Sequence, residues 1–289
     1  MGHVVVGVDG SDGAAEALRW AVHEAELRDH MVTALYAWGF IDRYHEGGDR
    51  TFDVDFGEDE ALAVLDKAVG RALADGGAPV PVERRVVHDE PASALLRAAE
   101  GADLLVVGAR GLGGFARLLL GSISSQCIEH APCPVAVVRR PEPAREETTP
   151  RVVVGVDGSE AAKAALAWAL DEARARRASL DVVHAWDLPL IGHLGALAFD
   201  PVMFRDVGQE VLDETISAAE AQATGVDVHR LLARGPAARV LIEQGRHADL
   251  LVIGARGLGG FTGLLLGSVS HRVATGAPCP VVVLRERPS

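Results

Sequence analysis

Apolar positions along the chain alternate between two spacings, one typical of strands and one typical of helices. Residues 3–9, HVVVGVD, form a continuous β-branched run, as expected for a strand buried on both faces. The next segment has the three- and four-residue apolar spacing of a helix, with Ser11 or Asp12 as its cap. This alternation continues to residue 140, and it predicts five strands with helices between them. Such an order predicts a parallel, doubly wound α/β sheet.

The same order of elements occurs twice. Residues 3–25 match residues 151–173, and residues 102–111 match residues 248–257. A repeat of this length is too long for a solenoid unit, so it indicates duplication of a whole domain. We therefore predict two tandem Rossmann-like domains, each a five-stranded parallel sheet flanked by helices. They span residues 1–140 and 151–289, and a linker rich in proline and charge, residues 141–150, joins them.

Composition narrows the class of protein and its surroundings. The 289 residues are 48% hydrophobic and 24% charged, which is typical of a globular chain. The net charge of −13 argues against a sequence-independent grip on nucleic acid. Three cysteines favour a reducing cytoplasm over a disulfide scaffold. The N-terminus lacks the basic and apolar regions of a signal peptide, and no apolar run is long enough to span a membrane. We expect a cytoplasmic protein without membrane association.

A glycine-rich stretch follows the fourth predicted strand of each half. Residues 108–124, GARGLGGFARLLLGSIS, and residues 254–270, GARGLGGFTGLLLGSVS, differ at only three of 17 positions. Consecutive backbone N–H groups in such turns form an anion nest, and the N-terminus of the helix that follows adds further donors. One interpretation is therefore a phosphate-binding loop. The alternative is that the glycines only allow tight packing of strand against helix. The stretch matches neither a Walker A loop nor the G-x-G-x-x-G pattern.

The spacing G-x2-G-x9-G-S after a strand, with VGVDGS opening and PCPV closing each half, resembles the universal stress protein family. The chain is most similar to the tandem, ATP-binding form of actinobacteria, over nearly its whole length. The resemblance implies one ATP in each domain, with Mg²⁺ as a candidate companion ion. It also implies a homodimer and a nucleotide-dependent regulator of stress response or growth arrest that acts on an unidentified protein partner.

Carried over to this sequence, the resemblance implies three groups of contacts in each domain. The end of the first strand lies near the ribose and phosphates, the end of the second strand meets adenine, and the loop and helix start surround the triphosphate. In the first domain these residues are Gly7, Asp9, Ala37, Gly108, Ala109, Arg110, Gly111, Leu112, Gly113, Gly114, Gly121, Ser122, Ile123 and Ser124. In the second domain they are Gly155, Asp157, Ala185, Gly254, Ala255, Arg256, Gly257, Leu258, Gly259, Gly260, Gly267, Ser268, Val269 and Ser270.

Several side chains have two interpretations at this point. Asp9 and Asp157 either contact the ligand or cap a helix. Arg110 and Arg256 either reach phosphate through the guanidinium or face solvent, with only their backbone at the site. The thiols of Cys133 and Cys279 are either buried or redox-sensitive.

The histidines bear on catalysis. None of the 11 is repeated between the halves, so no general base other than the repeated aspartates stands out. No Ser-His-Asp or metal-ligand spacing occurs either, and we assign no catalytic or metal-binding residue. A nucleotide-binding regulator is therefore favoured. The alternative is a slow ATPase, or a nucleotide-dependent transferase of the related alpha-hydrolase class.

Overall fold

The structure is a computed structural model, and it describes residues 2–39, 57–74, 80–111, 120–139, 149–188, 200–258 and 265–285. The chain divides into two compact units, Met1–Arg140 and Pro141–Ser289. Most of the predicted linker lies outside the described residues, so its bounds stay a prediction.

The first unit contains a five-stranded sheet in which every neighbouring pair of strands is parallel. Its strand order is β3-β2-β1-β4-β5. The strands are β1 (His3–Gly7), β2 (Met31–Trp38), β3 (Val82–His88), β4 (Leu104–Gly108) and β5 (Val135–Val138). The helices are α1 (Asp12–Arg28), α2 (Glu58–Leu73), α3 (Pro91–Ala98) and α4 (Ser122–His130).

The second unit repeats this arrangement, with the strand order β8-β7-β6-β9-β10, again parallel throughout. The strands are β6 (Arg151–Gly155), β7 (Ser179–Trp186), β8 (Val228–Arg234), β9 (Leu250–Gly254) and β10 (Val281–Leu284). The helices are α5 (Glu160–Arg176), α6 (Pro201–Ala218), α7 (Ala237–Gly245) and α8 (Ser268–Gly276). The predicted fold class, two parallel α/β sheets flanked by helices, is confirmed.

The core of each unit lies on both faces of its central strands. Val4, Val5 and Val6 of β1 are at most 1% exposed, and the corresponding residues of β6 are fully buried. Burial on both faces explains why these strands have continuous apolar runs and no alternation. The cap of α1 is Ser11, whose hydroxyl accepts a hydrogen bond from the Ala14 N–H group. Ser159 caps α5 in the same way.

The strand order defines where a ligand cleft forms. In the first unit the chain runs from β1 through β2 to β3 on one side, then crosses to β4 and β5 on the other. The place where the chain crosses from one side to the other is called the switch point. In such sheets a ligand cleft forms there, beyond the carboxyl ends of the strands. It lies between β1 and β4 in the first unit and between β6 and β9 in the second. In the part of the chain that the structure describes, no helix is long and apolar enough to cross a membrane.

Candidate functional site

The structure shows two different reasons why glycine is needed at the predicted loop positions. The first reason is close packing of a strand against a helix. A Cβ atom on Gly108 would lie 2.8 Å from the carbonyl oxygen of Gly13, at the start of α1. A Cβ atom on Gly254 would lie 2.9 Å from the backbone carbon of Ala161, at the start of α5. Real Cβ atoms do not come this close to backbone, so each first loop glycine lets a strand pack against a helix. For these two positions the packing interpretation accounts for the glycine.

The second reason is contact with an aspartate. A Cβ atom on Gly111 would overlap Oδ2 of Asp9, and a Cβ atom on Gly257 would overlap Oδ2 of Asp157. Each aspartate follows the first strand of its domain, so its carboxylate lies directly against the backbone of the loop. In the second domain the Leu258 N–H group donates to Asp157 Oδ2 over 3.0 Å.

The other carboxylate oxygen of each aspartate binds the turn that leads into the helix. Ser11 N–H donates to Asp9 Oδ1 over 2.9 Å. Ser159 donates to Asp157 Oδ1 through its N–H group, over 3.1 Å, and through its hydroxyl, over 2.6 Å. Both aspartates are half-buried. They therefore connect the end of one strand to the loop that follows another.

The helices that follow the loops begin without a side-chain cap. The first residue before α4 is Gly121 and before α8 is Gly267, and neither helix has a capping side chain. The first helical hydrogen bonds run from Ser125 N–H to Gly121 oxygen and from His271 N–H to Gly267 oxygen. The N–H groups of residues 122–124 and 268–270 thus have no partner inside the helix. They form the kind of donor set that binds phosphate at a helix N-terminus.

Two of the predicted serines use their hydroxyls inside the protein. Ser124 Oγ donates to the Gly108 oxygen over 2.7 Å, and Ser270 Oγ donates to the Gly254 oxygen over the same distance. Both serines are about 5% exposed. Their hydroxyls hold the helix start against the strand end, which leaves their backbone N–H groups as the donors that a ligand can reach. Ser122 and Ser268 are exposed.

Backbone groups at the end of the second strand also face the cleft. The last bond from this strand toward the first is Val8 N–H to Leu35 oxygen in one domain and Val156 N–H to Val183 oxygen in the other. Successive residues of a parallel strand direct their polar groups alternately to the two sides. The backbone N–H and C=O groups of Ala37 and Ala185 therefore point toward the side of the first strand, at a level beyond the end of that strand. Backbone donors and acceptors in this position can form hydrogen bonds with a ligand in the cleft.

A cavity of about 410 Å³ lies at this edge of the second domain. Its volume is within the range of about 300–1,000 Å³ that is typical of small-molecule sites. The cavity contacts the ends of β6, β7 and β9 and the starts of α7 and α8. Of the predicted residues, those that line it are Gly155, Asp157, Ala185, Gly254, Arg256, Gly257, Gly267, Ser268, Val269 and Ser270.

The remaining predicted residues have different placements. Ala109 and Ala255 are buried behind the loop, while Arg110 and Arg256 are exposed. Ile123 is half-buried, and Leu258 is 73% exposed at the edge of the described chain. Leu112, Gly113, Gly114, Gly259 and Gly260 lie outside the described residues, and their predicted roles stay predictions.

Sequence reasoning missed the apolar floor of the cavity. Leu241 of α7 lines it together with Val183 and Ala237. A Cβ atom on Gly155 would lie 2.8 Å from Leu241 Cδ1, and one on Gly7 would lie 3.0 Å from Leu95 Cδ1. The glycine that ends each first strand thus makes room for a leucine. In the sequence, an apolar residue of an amphipathic helix looks like an ordinary core residue. Only the occurrence of such a leucine opposite the strand-ending glycine in both domains could have indicated that it lines the cavity.

The cysteines belong to the core. Cys127, Cys133 and Cys279 are all buried. Burial raises the pKa of Cys127 to about 12 and that of Cys133 to about 11. Thiols of this kind are poor nucleophiles at neutral pH, which favours the buried-thiol interpretation over a redox sensor. Among the described residues, no group of three or more His, Cys, Asp or Glu side chains has the arrangement of a metal site.

Comparison with known proteins assigns the family. The model of the universal stress protein family matches residues 1–139 and again residues 148–285. The chain belongs to the universal stress protein family. A universal stress protein of Mycolicibacterium smegmatis is 34% identical over 292 residues, covering 98% of this chain and 97% of its own length. One from Mycobacterium tuberculosis is 33% identical over 296 residues, covering 98% and 96%. The resemblance to the tandem actinobacterial form is confirmed.

The fold has a structural counterpart of the same extent. A universal stress protein from Archaeoglobus fulgidus superimposes with a TM-score of 0.67 at 19% identity, covering 99% of this chain and 98% of its own. At this identity the comparison supports the universal stress protein fold of the whole chain and nothing further.

Proposed function

We propose that each domain of this universal stress protein binds one ATP, and that the occupied state regulates stress response or growth arrest. The observation that carries the proposal is the cavity at the switch point of the second domain, where an uncapped helix N-terminus faces an apolar floor. The N–H groups of residues 268–270 suit phosphates, and Leu241 and Val183 suit a planar base. Both ends of a nucleotide thus have a matching surface.

Electrostatics supports a small phosphate ligand in a chain that is strongly acidic. The net charge of −13 repels polyanions at long range, but screening limits that effect to about 10 Å at ordinary ionic strength. Inside the cleft, the N–H donors at the start of α8 and the nearby Arg256 favour an anion. Mg²⁺ would neutralise part of the triphosphate charge, and Asp157 is the carboxylate in the cavity that could assist it.

A regulator needs a partner that reads the bound state. We propose that this protein forms a homodimer in the cytoplasm and that an unidentified protein recognises its nucleotide-loaded form. Light scattering of the purified chain with and without ATP tests the first part. A monomeric mass under both conditions would contradict it.

The first experiment identifies what the protein carries. The chain is purified without added nucleotide and denatured, and the released small molecules are separated and weighed. We expect nearly two ATP per chain. One per chain would mean that the domains have specialised. If nothing is released, and ATP–Mg²⁺ does not shift thermal unfolding, the proposal is wrong, because ATP at 100 times Kd should stabilise a domain by about 2.7 kcal/mol.

A matched pair of variants tests the site itself. Ser268→Glu adds a carboxylate at the exposed start of α8, where it occupies the proposed phosphate position, while acidic residues in a first turn favour the helix. We expect calorimetry to lose one of two ATP equivalents. Ser217→Glu, on an exposed serine near the end of α6, makes the same change elsewhere and should keep both.

Phosphate release from the same samples separates a regulator from an enzyme. Binding without sustained turnover fits the proposal. Many turnovers, with a rate that falls in Ser268→Glu as one of the two sites is lost, would favour the slow ATPase instead.

A further inference from the structure

The Asp157 carboxylate uses its two oxygens differently. Oδ1 accepts both bonds from Ser159, which accounts for the turn into α5. Oδ2 instead accepts the Leu258 N–H group, 101 residues away in the loop. Shaping the turn therefore does not explain the second oxygen, which reaches across the cleft to a loop donor.

The loop donor is of the type that a phosphate oxygen would use. A carboxylate oxygen and a phosphate oxygen are both anionic acceptors, and one N–H group does not serve both well. Gly257, the residue before Leu258, lies so close to Asp157 Oδ2 that any side chain there would overlap it. Asp157 also lines the cavity. The described structure thus has an anion of the protein itself in the loop.

The first domain has the same arrangement as far as it is described. Oδ1 of Asp9 accepts the Ser11 N–H group, and Gly111 lies against Oδ2. The close approach of the aspartate Oδ2 to the loop glycine is therefore repeated in the two sites.

We propose that the Asp157 carboxylate is an internal competitor for the loop of the second domain, and that nucleotide phosphates enter by displacing it. The inference rests on the proposed function, since it concerns how that site is controlled. Without a divalent cation, the incoming phosphate meets a like charge at close range, which weakens binding. Asp157 and the phosphates would hold a divalent cation that arrives with the nucleotide, and the cation would supply the positive charge that offsets their repulsion. The Asp157 carboxylate would then leave the Leu258 N–H group to the phosphates. Binding of ATP to this domain should therefore depend strongly on Mg²⁺.

The test compares ATP affinity with Mg²⁺ and with EDTA by calorimetry on the full chain. Asp157→Asn removes the charge and keeps one carbonyl oxygen for the two bonds from Ser159, so the turn is preserved. The amide nitrogen that replaces Oδ2 cannot accept the Leu258 N–H group, so the loop donor is freed. In EDTA we expect one site of this variant to bind ATP about tenfold more tightly than wild type, and the ratio between the two conditions to fall. Intact mass confirms that the new Asn-Gly pair has not reverted to aspartate.

Two controls keep the outcome specific. Asp171→Asn removes the same charge from an exposed position on α5 and should leave both affinities unchanged. Asp9→Asn should produce the tenfold gain at the other site. Unchanged or weaker binding of Asp157→Asn in EDTA, with wild type binding ATP normally, would overturn the inference and leave the proposed function standing. Failure of wild type and of every variant to bind ATP under either condition would overturn the proposed function, and the inference with it.

Hydrogen exchange tests the free protein without any ligand. The amide of Leu258 should exchange slowly in wild type, because its N–H group is bonded to Asp157. Asp157→Ala should accelerate this amide about tenfold or more while peptides from β6 and β9 keep their protection. Equal exchange of the Leu258 amide in both proteins would contradict the proposed contact.

Discussion

The two domains have the same residue contacts at the carboxyl ends of their strands, here called the carboxyl edge of the sheet. They have different contacts at the amino ends of their strands, the amino edge. At the carboxyl edge, the serine that follows each loop donates to the glycine that ends the fourth strand, over 2.7 Å in both copies. At the amino edge, a polar set crosses three strands in each domain, but its chemistry changes. In the first domain it is His3, Thr33 and Glu83, and in the second it is Arg151, Asp181 and His229.

The difference reflects what each edge requires. Thr33 and Asp181 are 2% and 5% exposed on the second strand, and a buried polar group needs partners of any suitable kind. His3 and Glu83 bond the Thr33 hydroxyl over 2.8 and 3.0 Å. The carboxyl edge instead depends on close backbone approach, which few residue types allow. The amino edge therefore tolerates exchange of residues, whereas the carboxyl edge does not.

The largest expected effect on stability comes from two buried ion pairs, one in each domain, whose arginines are buried to different extents. Glu24 of α1 and Glu172 of α5 are 1% and 0% exposed and pair with Arg28 and Arg176 one turn later. Arg176 is 10% exposed, compared with 24% for Arg28. Removing one partner of a buried pair costs about 3–5 kcal/mol. We expect Glu172→Ala to lower the free energy of unfolding of the second domain by that amount.

Urea unfolding of the full chain measures this change, and hydrogen exchange locates the affected domain. Glu24→Ala should cost less, because its arginine remains more hydrated. The exposed Glu160→Ala should cost below about 0.5 kcal/mol. Equal losses for Glu24→Ala and Glu172→Ala would show that burial of the arginine does not matter.

The next prediction concerns the loop glycines that pack against helices. Gly254→Ala and Gly108→Ala each force a methyl group against helix backbone, and overpacking of this kind costs about 1–3 kcal/mol. We expect similar losses of unfolding free energy in the two domains. Gly70→Ala is the control, since no atom lies within 4 Å of its added methyl group inside α2. That change should stabilise the protein by about 0.5–1 kcal/mol.

A smaller effect on stability is expected at the helices that follow the third strand of each domain, because only one of them has a side-chain cap. The Glu90 side chain caps α3 by accepting the Ser93 N–H group over 2.8 Å, whereas the capping position before α7 is Pro236, which makes no side-chain bond. Glu90→Ala should cost about 1 kcal/mol at pH 7, and the exposed Glu100→Ala should cost almost nothing. Burial alone would raise the pKa of Glu90, but the bonds from Ser93 and Ala92 outweigh it and lower the pKa.

The pH dependence of that cap follows from the sign of the shift. A lowered pKa means that the stabilisation is present above the unfolded value near 4.5 and is lost as the pH falls through the folded value. The difference between wild type and Glu90→Ala, measured by urea unfolding, should therefore shrink below pH 4.5. A difference that stays constant down to pH 3 would contradict the capping role.

The sequence predicted the sheets and the edge that carries the candidate site, because strands buried on both faces leave continuous apolar runs and the duplication marked corresponding positions. It could not separate the reasons for the glycines. Gly108 avoids a helix backbone and Gly111 avoids an aspartate, and only coordinates distinguish the two. Likewise, the sequence places Ser124 beside the phosphates but does not show that its hydroxyl is bonded to Gly108, which leaves its backbone N–H group as the donor for a ligand. The spacing of glycines and serines in the sequence indicates where a site lies. Which atom each side chain contacts depends on how the strands and helices pack, and the spacing does not show this.

The smallest effect tests the amino edge of the second domain. The hydrogen bond that His229 Nδ1 donates to Asp181 raises the pKa of His229, burial opposes this, and the Asp227 charge adds to the increase. Arg151 contacts the other oxygen of Asp181, so the two oxygens of this carboxylate have different partners, Arg151 and His229. A raised pKa means that the stabilisation is present below the unfolded value near 6.5 and is lost as the pH rises through the folded value.

His229 is 56% exposed, so we expect its contribution to stay below about 1 kcal/mol. His229→Gln should unfold at a lower urea concentration than wild type at pH 5.5 and at nearly the same concentration at pH 8.5. Glu83 occupies the corresponding place in the first domain, and Glu83→Gln should show no such change between these two pH values. A loss in His229→Gln that persists unchanged at pH 8.5 would mean that the neutral imidazole supports Asp181 as well as the charged one. The two amino edges would then differ in residue type without differing in their response to pH.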